Sequence, residues 1–116
     1  MSVDVNAKIG LGWIISHEEY CEMRETAGDQ WDDIEGYFHH IDCYRDNSDI
    51  FLGENICSID EGRSICLDEV LTKRANDFDE DKFSNIYGEI LEVCGRSVTP
   101  DSKWTTARLY LIHELC

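Results

Sequence analysis

The clearest hydrophobic pattern of this chain lies between Asp79 and Cys94. Apolar side chains recur there at helical spacing, at Phe83, Ile86, Tyr87, Ile90, Leu91 and Cys94. This spacing places one apolar stripe along an α-helix. Acids open the segment from Asp79 to Asp81, where the positive end of the helix dipole favours negative charge. The pattern therefore predicts an amphipathic helix that Gly95 and Arg96 close.

The N-terminal part of the chain predicts a strand followed by a helix. Residues 7–16 read AKIGLGWIIS, and the Ile and Trp side chains with interleaved glycines are typical of a strand with a bulge at a glycine. Ser16 is a favourable N-cap, and Glu19 completes a capping box. We expect the helix over about residues 17–26, ending before Gly28.

An acidic connector follows this helix. Residues 28–36 carry four acids, and among them Trp31 and Ile34 have the spacing that anchors one helical turn. From Tyr37 the pattern becomes strand-like again over YFHHIDCY. The chain therefore predicts a helical turn and then a second strand.

Two continuations are open after the strand predicted over residues 51–59, FLGENICSI. In one, residues 60–62 turn the chain into a hairpin whose second strand is RSICL. In the other, a short helix begins at Ser64 or Asp68 and extends to Arg74. The residues alone favour neither.

The C-terminal residues complete the predicted fold. Pro100 marks a loop, and residues 104–113, WTTARLYLIH, predict a final strand. At 116 residues the chain has the length of one domain. We therefore expect a single α+β domain over residues 1–116, with about four mostly antiparallel strands and two helices on one face.

Charge is the feature of the composition that bears most on function. Twenty-five Asp and Glu stand against ten Lys and Arg, which gives a formal net charge of −15. Such a surface repels nucleic acid and anionic membranes and attracts basic patches on other proteins. The apolar stretches are too short to span a bilayer, and the first residues do not resemble a secretory signal. We expect a cytoplasmic protein that binds neither nucleic acid nor membrane.

Six cysteines are spread widely along the chain, without the C-x-x-C spacing of a zinc knuckle or a redox site. In a cytoplasmic protein such thiols stay reduced. Most of them lie beside Ile, Leu or Val, where cysteine behaves as a small apolar residue, so we expect core thiols. The terminal cysteine is expected to be the most exposed of the six. The six are Cys21, Cys43, Cys57, Cys66, Cys94 and Cys116.

No motif in the sequence specifies a calcium site. Asp77, Asp79 and Asp81 imitate the start of a calcium-binding loop. Lys82 and Gly88, however, occupy the positions at which that loop needs glycine and glutamate. A helix N-terminus with solvated acids explains the same residues.

Histidine and cysteine would form a site only if the fold brought distant residues together. His39 and His40 are adjacent, so a strand would point them to opposite faces. A site built from His39, Cys43 and His113 remains an alternative, but it lacks a characteristic zinc spacing. Cysteine catalysis needs a basic surrounding, and this chain is acidic. We therefore expect no metal, no cofactor and no enzymatic activity.

The first of three acidic patches lies on the first predicted helix and the connector after it. Carboxylates on successive helix turns are about 5–6 Å apart, a distance of the same order as that between phosphates of a nucleic acid strand. Trp31 lies among them and is expected to be an exposed anchor. The predicted partner-binding residues are Glu18, Glu22, Glu25, Asp29, Trp31, Asp32 and Asp33. The alternative is an acidic face that serves solubility alone.

The order of segments resembles that of small acidic proteins encoded by bacteriophages and other mobile elements. The resemblance rests on the N-terminal KIGLGWIIS-x-E-E-Y, on the aromatic strand that leads to FLG-x-x-I-x-S, and on the terminal helix and strand. It extends over most of the chain. Members with known roles include inhibitors of host defence, such as anti-CRISPR and anti-restriction proteins, some of which mimic nucleic acid. No individual functional residue is carried over.

Charge and resemblance together predict a non-enzymatic inhibitor in the cytoplasm of the host cell. Its partner would be a basic, nucleic-acid-handling surface of a host defence protein, which the acids occlude. The alternative is a small structural or accessory protein that acts as a homodimer or interaction module. Such a protein would use a sheet edge or an aromatic patch of Tyr37, Phe38, Trp104 and Tyr110.

Overall fold

The computed structural model describes residues 5–42, 47–59, 66–77 and 79–115. Within these residues the fold is built on one sheet of four antiparallel strands. The strands are β1 (Val5–Ile15), β2 (Phe38–His40), β3 (Ile50–Ile59) and β4 (Arg108–Leu115). The helices are α1 (His17–Ala27), α2 (Trp31–Ile34), α3 (Leu67–Asp77) and α4 (Glu80–Val93). This confirms the α+β fold, with three longer helices where two were expected.

The two central strands of the sheet are β1 and β3, and the order across it is β2-β3-β1-β4. Residues 7–15 of β1 are antiparallel to residues 50–59 of β3. The register shifts between Ile9 and Gly10, which is the irregularity predicted beside a glycine. The other edge of β1 pairs with β4, so the first and the last described strands are neighbours in the sheet.

The core lies between one face of the sheet and the helices α1, α2 and α4. Alternate side chains of β1 point into it, because successive residues of a strand face opposite sides. In α4 the predicted stripe is buried, except that Ile86 is half-buried. This confirms the amphipathic helix predicted over residues 79–94. The principal core side chains are Leu11, Trp13, Ile15, Tyr20, Met23, Ile34, Phe38, Ile50, Leu52, Phe83, Tyr87, Ile90 and Leu91.

Caps fix both ends of α1. The Ser16 hydroxyl accepts a hydrogen bond from the Glu19 N–H at 3.2 Å. At the other end Gly28 has a φ of 56°, and its N–H donates to the Arg24 carbonyl. Glycine adopts this left-handed conformation without strain. α1 thus begins where it was predicted and ends at Ala27, one residue later than expected.

The acids at the start of α4 stabilise its N-terminus. The Asp79 carboxylate accepts a hydrogen bond from the Lys82 N–H at 3.0 Å, which is the bond of an N-cap. Glu80 and Asp81 follow in the first turn, where the helix dipole favours them. Gly95, with a φ of 73°, lies just beyond the other end.

On the face of the sheet away from the main core, glycines make room for an aromatic ring. Phe51 is fully buried there. A Cβ on Gly10 or Gly53 would lie 2.5 or 2.6 Å from the Cζ atom of this ring. Gly12 is opposite Gly53 in the register, and a Cβ on Gly12 would overlap the carbonyl oxygen of Leu52. β1 and β3 therefore approach each other more closely than a side chain at these positions permits.

The last strand begins later than predicted. β4 starts at Arg108, whereas Trp104 lies in a 3-10 turn, Lys103–Thr105. The buried Trp104 ring is 5.9 Å from that of Trp13, measured between centroids. The Trp13 indole N–H also donates to the Lys103 carbonyl at 3.0 Å. These core contacts hold Trp104 outside the strand, so the predicted start of the strand is wrong.

Within the described residues, β2 covers only residues 38–40 of the predicted YFHHIDCY, whose last two residues, 43 and 44, lie outside the described ranges. The His39 ring stacks on Phe51 with centroids 6.0 Å apart. The His40 ring instead meets Tyr20 edge-on at 5.3 Å. Phe51 and Tyr20 lie on opposite faces of the sheet, which confirms that the two histidines point in opposite directions.

The structure decides the choice left open after β3. α3 begins at Leu67, one residue before Asp68, and extends to Asp77. This confirms the helical alternative, and a strand ending at Leu67 is wrong. The turn proposed for the hairpin, residues 60–62, lies outside the described residues. Val70 is buried and holds α3 against the rest of the protein.

Candidate functional site

The acidic face of α1 is fixed by the opposite, apolar face. The residues of α1 that are buried in the core are Tyr20, Met23 and Ala27. Three acids lie on the other side of α1 at positions i, i+4 and i+7, a spacing that aligns them, and Asp29 follows just beyond the end of the helix. We call them the acidic stripe: Glu18, Glu22, Glu25 and Asp29, all exposed. Burial of the apolar residues therefore determines where the stripe points.

α2 extends the stripe into a larger surface. Its apolar residues, Trp31 and Ile34, are buried, whereas Asp32 and Asp33 are exposed. A 3-10 turn, Gly28–Gln30, connects the two helices. All six acids predicted as partner-binding residues are therefore exposed on consecutive segments. We call the stripe together with Asp32 and Asp33 the acidic surface.

Trp31, the seventh predicted residue, does not belong to this surface. Its side chain is only 6% exposed. The ring lies 4.8 Å from Phe38 and 5.4 Å from Tyr20, measured between centroids. The prediction of an exposed anchor is wrong, because Trp31 and Ile34 form the inward side of α2. The spacing of Trp31 and Ile34 indicates this inward side, whereas the acids around Trp31 in the sequence favoured its exposure.

Two basic residues offset part of the charge of α1. The Arg96 guanidinium lies 3.3 Å from a Glu22 carboxylate oxygen and 3.7 Å from a Glu19 oxygen. Lys103 forms an ion pair with Glu19 as well. The sequence did not reveal these partners, because 74 residues separate Arg96 from Glu22 and 84 separate Lys103 from Glu19. The Arg96–Glu22 and Lys103–Glu19 pairs each have one largely exposed partner and contribute at most about 1 kcal/mol each to stability.

The remaining acids of the surface keep their charge uncompensated within the part of the chain that the structure describes. Glu18, Glu25 and Asp29 make no ion pair with any described residue, and neither do Asp32 and Asp33. Glu22 is therefore the weakest candidate among the six, since its charge is already shared with a cation. The strongest negative field is expected at the two ends of the acidic surface.

The structure brings together one pair that the sequence analysis missed. The Cys21 thiol lies 3.6 Å from the Nε2 atom of His17, one helical turn away on α1. A thiol beside an imidazole is the first requirement of a cysteine nucleophile. The signal in the sequence is their i, i+4 spacing on a predicted helix, which places the two side chains side by side.

Three of the four described thiols lie outside the core, contrary to the prediction. Cys94 is buried, Cys57 is half-buried, and Cys21 and Cys66 are exposed. Cys43 and Cys116 lie outside the described residues. The prediction failed because it used apolar neighbours in the sequence. The side of a helix or strand on which a residue lies decides its burial.

The thiols are expected to differ sharply in reactivity. Burial raises the pKa of the Cys94 thiol from 9.0 to about 11, although nearby Arg96 lowers it slightly. Iodoacetamide at mildly alkaline pH should therefore modify Cys21 and Cys66 in the folded protein and leave Cys94 unmodified until urea is added. Mass spectrometry of the digested protein measures this. Equal modification of Cys94 and Cys66 in the folded protein would contradict the assigned burial.

The same shift predicts a loss of stability in alkali. The folded protein holds the Cys94 proton more tightly than the unfolded chain does. The free energy of unfolding should therefore be unaffected below about pH 9 and fall as the pH rises towards 11. Burial also raises the pKa of Tyr20 and Tyr87, which adds a loss of the same sign above their ordinary pKa of 10.0. Urea denaturation at increasing pH, compared with the variant Cys94→Ala, isolates the contribution of the thiol.

A cavity of about 380 Å³ lies between α4 and the loop before β4. Its walls include Trp13, Phe83, Tyr87 and Trp104. The buried Tyr87 hydroxyl has no hydrogen-bond partner among the described residues. The volume is within the range of small-molecule sites, but the lining offers no converging charged groups to orient a ligand. The acidic surface is therefore the stronger candidate.

Other predicted sites find less support. Among the described residues, no group of three or more His, Cys, Asp or Glu is placed to hold a metal ion. Of the alternative metal site, His39 stacks on Phe51, His113 is exposed, and Cys43 lies outside the described residues. None of the helices in the described ranges has the length and apolar character needed to cross a membrane.

The aromatic patch predicted for the accessory protein does not exist. Phe38 and Trp104 are each 7% exposed and belong to the core. Tyr37 is half-buried with its ring edge-on to Tyr87, and Tyr110 lies beside Phe51 on the other face. The sheet therefore separates Tyr110 from the other three, which pack in or against the main core. The chain matches no profile of a known protein family, no curated protein sequence and no solved structure.

Proposed function

We propose that this protein is a non-enzymatic inhibitor that binds a basic, nucleic-acid-handling surface of another protein through the acidic surface of α1 and α2. One observation carries the proposal. Three exposed carboxylates lie in line on the side of α1 opposite the core, and three more follow on the connecting turn and on α2. The resemblance to phage-encoded inhibitors supports a host defence protein, such as a CRISPR effector or a restriction enzyme, as the target.

Spacing and charge explain how such a surface occludes nucleic acid. Successive carboxylates on a helix face repeat at about 5–6 Å, a distance of the same order as that between phosphates along a strand. Lysine and arginine residues that bind phosphates would also bind carboxylates at this spacing. The net charge of −15 also attracts a cationic groove from a distance, which accelerates association.

The acids of the surface are expected to contribute unequally. A target arginine that engages Glu22 must compete with Arg96, which already lies 3.3 Å from that carboxylate. Glu18, Glu25 and Asp29 make no ion pair with a described residue, so a target cation that binds them displaces no described partner. They should therefore provide most of the affinity, with Asp32 and Asp33 adding to it.

Charge reversal of three acids is expected to abolish binding. The variant carries Glu18→Lys, Glu25→Lys and Asp29→Lys, all at exposed positions that leave the core intact. Each reversal replaces an attraction by a repulsion, so the affinity should fall by about 100-fold or more. The measurement is displacement of labelled duplex DNA from a panel of purified DNA-targeting defence nucleases, at low and at physiological salt. Wild-type displacement should weaken steeply as salt rises.

A matched variant separates the site from the total charge. Glu89→Lys, Glu92→Lys and Asp101→Lys change the net charge by the same amount, at exposed positions on α4 and the loop after it. This control should retain its affinity within a few-fold. Equal losses in both variants would show that only the total charge matters. Failure of the wild-type protein to displace DNA from every nuclease of the panel would overturn the proposed target class.

A further inference from the structure

The outer edge of β4 is unprotected in the described part of the protein. β4 pairs with β1 on one side, and no described strand pairs with its other side. Unpaired N–H and C=O groups along such an edge are a template for another strand. Proteins usually blunt an edge with charged side chains, above all lysine, with proline, or by keeping the strand very short. β4 is eight residues long, RLYLIHEL, has neither proline nor lysine, and carries its two charged residues only near its ends, at Arg108 and Glu114.

Exposed leucines adjoin this edge. Leu111 of β4 is 71% exposed, and Leu67 and Leu71 of α3 are 64% and 51% exposed. All three line one groove of about 250 Å³, whose floor includes Ile9 and Val70. On an otherwise strongly charged surface, clustered exposed leucines indicate a contact with another protein.

The sequence of β4 is complementary to itself in one antiparallel register. If Leu111 lies on a two-fold axis, Arg108 falls opposite Glu114 of the partner subunit, and by symmetry the pair occurs twice. Shifting the axis to Tyr110 or Ile112 removes this pairing of opposite charges. The register also places like faces on the same side, so that the exposed leucines of the two copies meet. Although both copies are acidic, the paired strands would thus set a positive residue opposite a negative one at each end.

We propose that a second copy of this chain adds antiparallel to β4, with Leu111 on the two-fold axis, to form one continuous sheet across a homodimer. Backbone hydrogen bonds extend the ladder, while Leu67, Leu71 and Leu111 of both copies cover each other. Opposite charges at residues 108 and 114 select the register. The dimer is independent of the acidic surface, which lies on α1 and α2.

Sedimentation velocity at rising protein concentration tests the association. The wild-type chain should sediment with twice its mass of 13.4 kDa. Leu111→Lys places two lysines on the axis, and it should weaken the dimer by about 100-fold or more. Because Leu111 is largely exposed, circular dichroism should show an unchanged fold. A monomeric wild-type protein at all concentrations, or a dimer that survives this substitution, would overturn the proposal.

A charge swap tests the register. Arg108→Glu sets acid against acid at both ends of the interface and should weaken the dimer by about ten-fold. The double variant R108E/E114R restores opposite charges and should recover the wild-type affinity within a few-fold. Arg24→Glu on α1 is the control, with the same change in net charge at another exposed arginine. An unrestored double variant, or an equal loss in the control, would overturn the proposed register.

Discussion

Replacing Gly53 by alanine is expected to destabilise the protein by about 4 kcal/mol or more, a large part of the roughly 5–15 kcal/mol by which folded proteins are stable. The new Cβ would overlap the carbonyl oxygen of Leu11 and lie 2.6 Å from the Cζ atom of the Phe51 ring. The first obstacle is backbone of the neighbouring central strand, which cannot move away without breaking the ladder. The second is a ring that is fully buried. Urea denaturation followed by far-UV circular dichroism measures the loss.

Gly88→Ala provides the matched control for this substitution. Gly88 lies in the interior of α4, and a Cβ there meets nothing within 4 Å. Alanine has the higher helix propensity, so the variant should be more stable than the wild type by about 0.5–1 kcal/mol. Opposite signs for the same chemical change would show that the close approach of β1 and β3, and not glycine content, decides the outcome. A Gly53→Ala protein as stable as the wild type would contradict the strand geometry.

Trp31→Ala is expected to remove about 3–5 kcal/mol of stability, as for other large buried aromatic residues. The ring fills the space between α2, Phe38 and Tyr20, and truncation leaves a cavity that packed neighbours cannot close. Trp31→Phe keeps an aromatic ring in place and should recover most of the loss. The free energy of unfolding from urea titrations gives both values.

The neighbouring Asp32→Ala variant separates the two roles considered for this segment. Asp32 is exposed, so this variant should have the stability of the wild type within about 0.5 kcal/mol. If Trp31 were a partner-binding anchor, Trp31→Ala would leave the stability unchanged and impair binding alone. That result would contradict its placement in the core.

Local patterns predicted the elements whose signals are contained in a short segment. α4 followed from its apolar stripe, and α1 followed from its cap at Ser16 and its glycine stop at Gly28. In both cases the residues that determine the element lie within one or two turns of it. The exposure of Glu18, Glu22 and Glu25 was predictable for the same reason, because the buried face of α1 is visible in its periodicity.

Features that depend on distant pairing were not predictable. The order of strands places β1 between β3 and β4, whose residues are far from it in the sequence. Trp104 was assigned to a strand because its contact with Trp13 is invisible in local composition. Likewise, the ion pair between Arg96 and Glu22 arises only when the loop after α4 reaches α1. Tertiary contacts override local preference at these positions.

The arrangement of the three tryptophans gives the protein an intrinsic optical signature. Trp13 and Trp104 are both buried, with ring centroids 5.9 Å apart and planes inclined at 57°. Excited states of two indoles so close and so inclined are coupled, which produces paired bands of opposite sign in ultraviolet dichroism. Trp31 lies in a separate aromatic group with Phe38. The native packing on either side of the core can therefore be followed without any label.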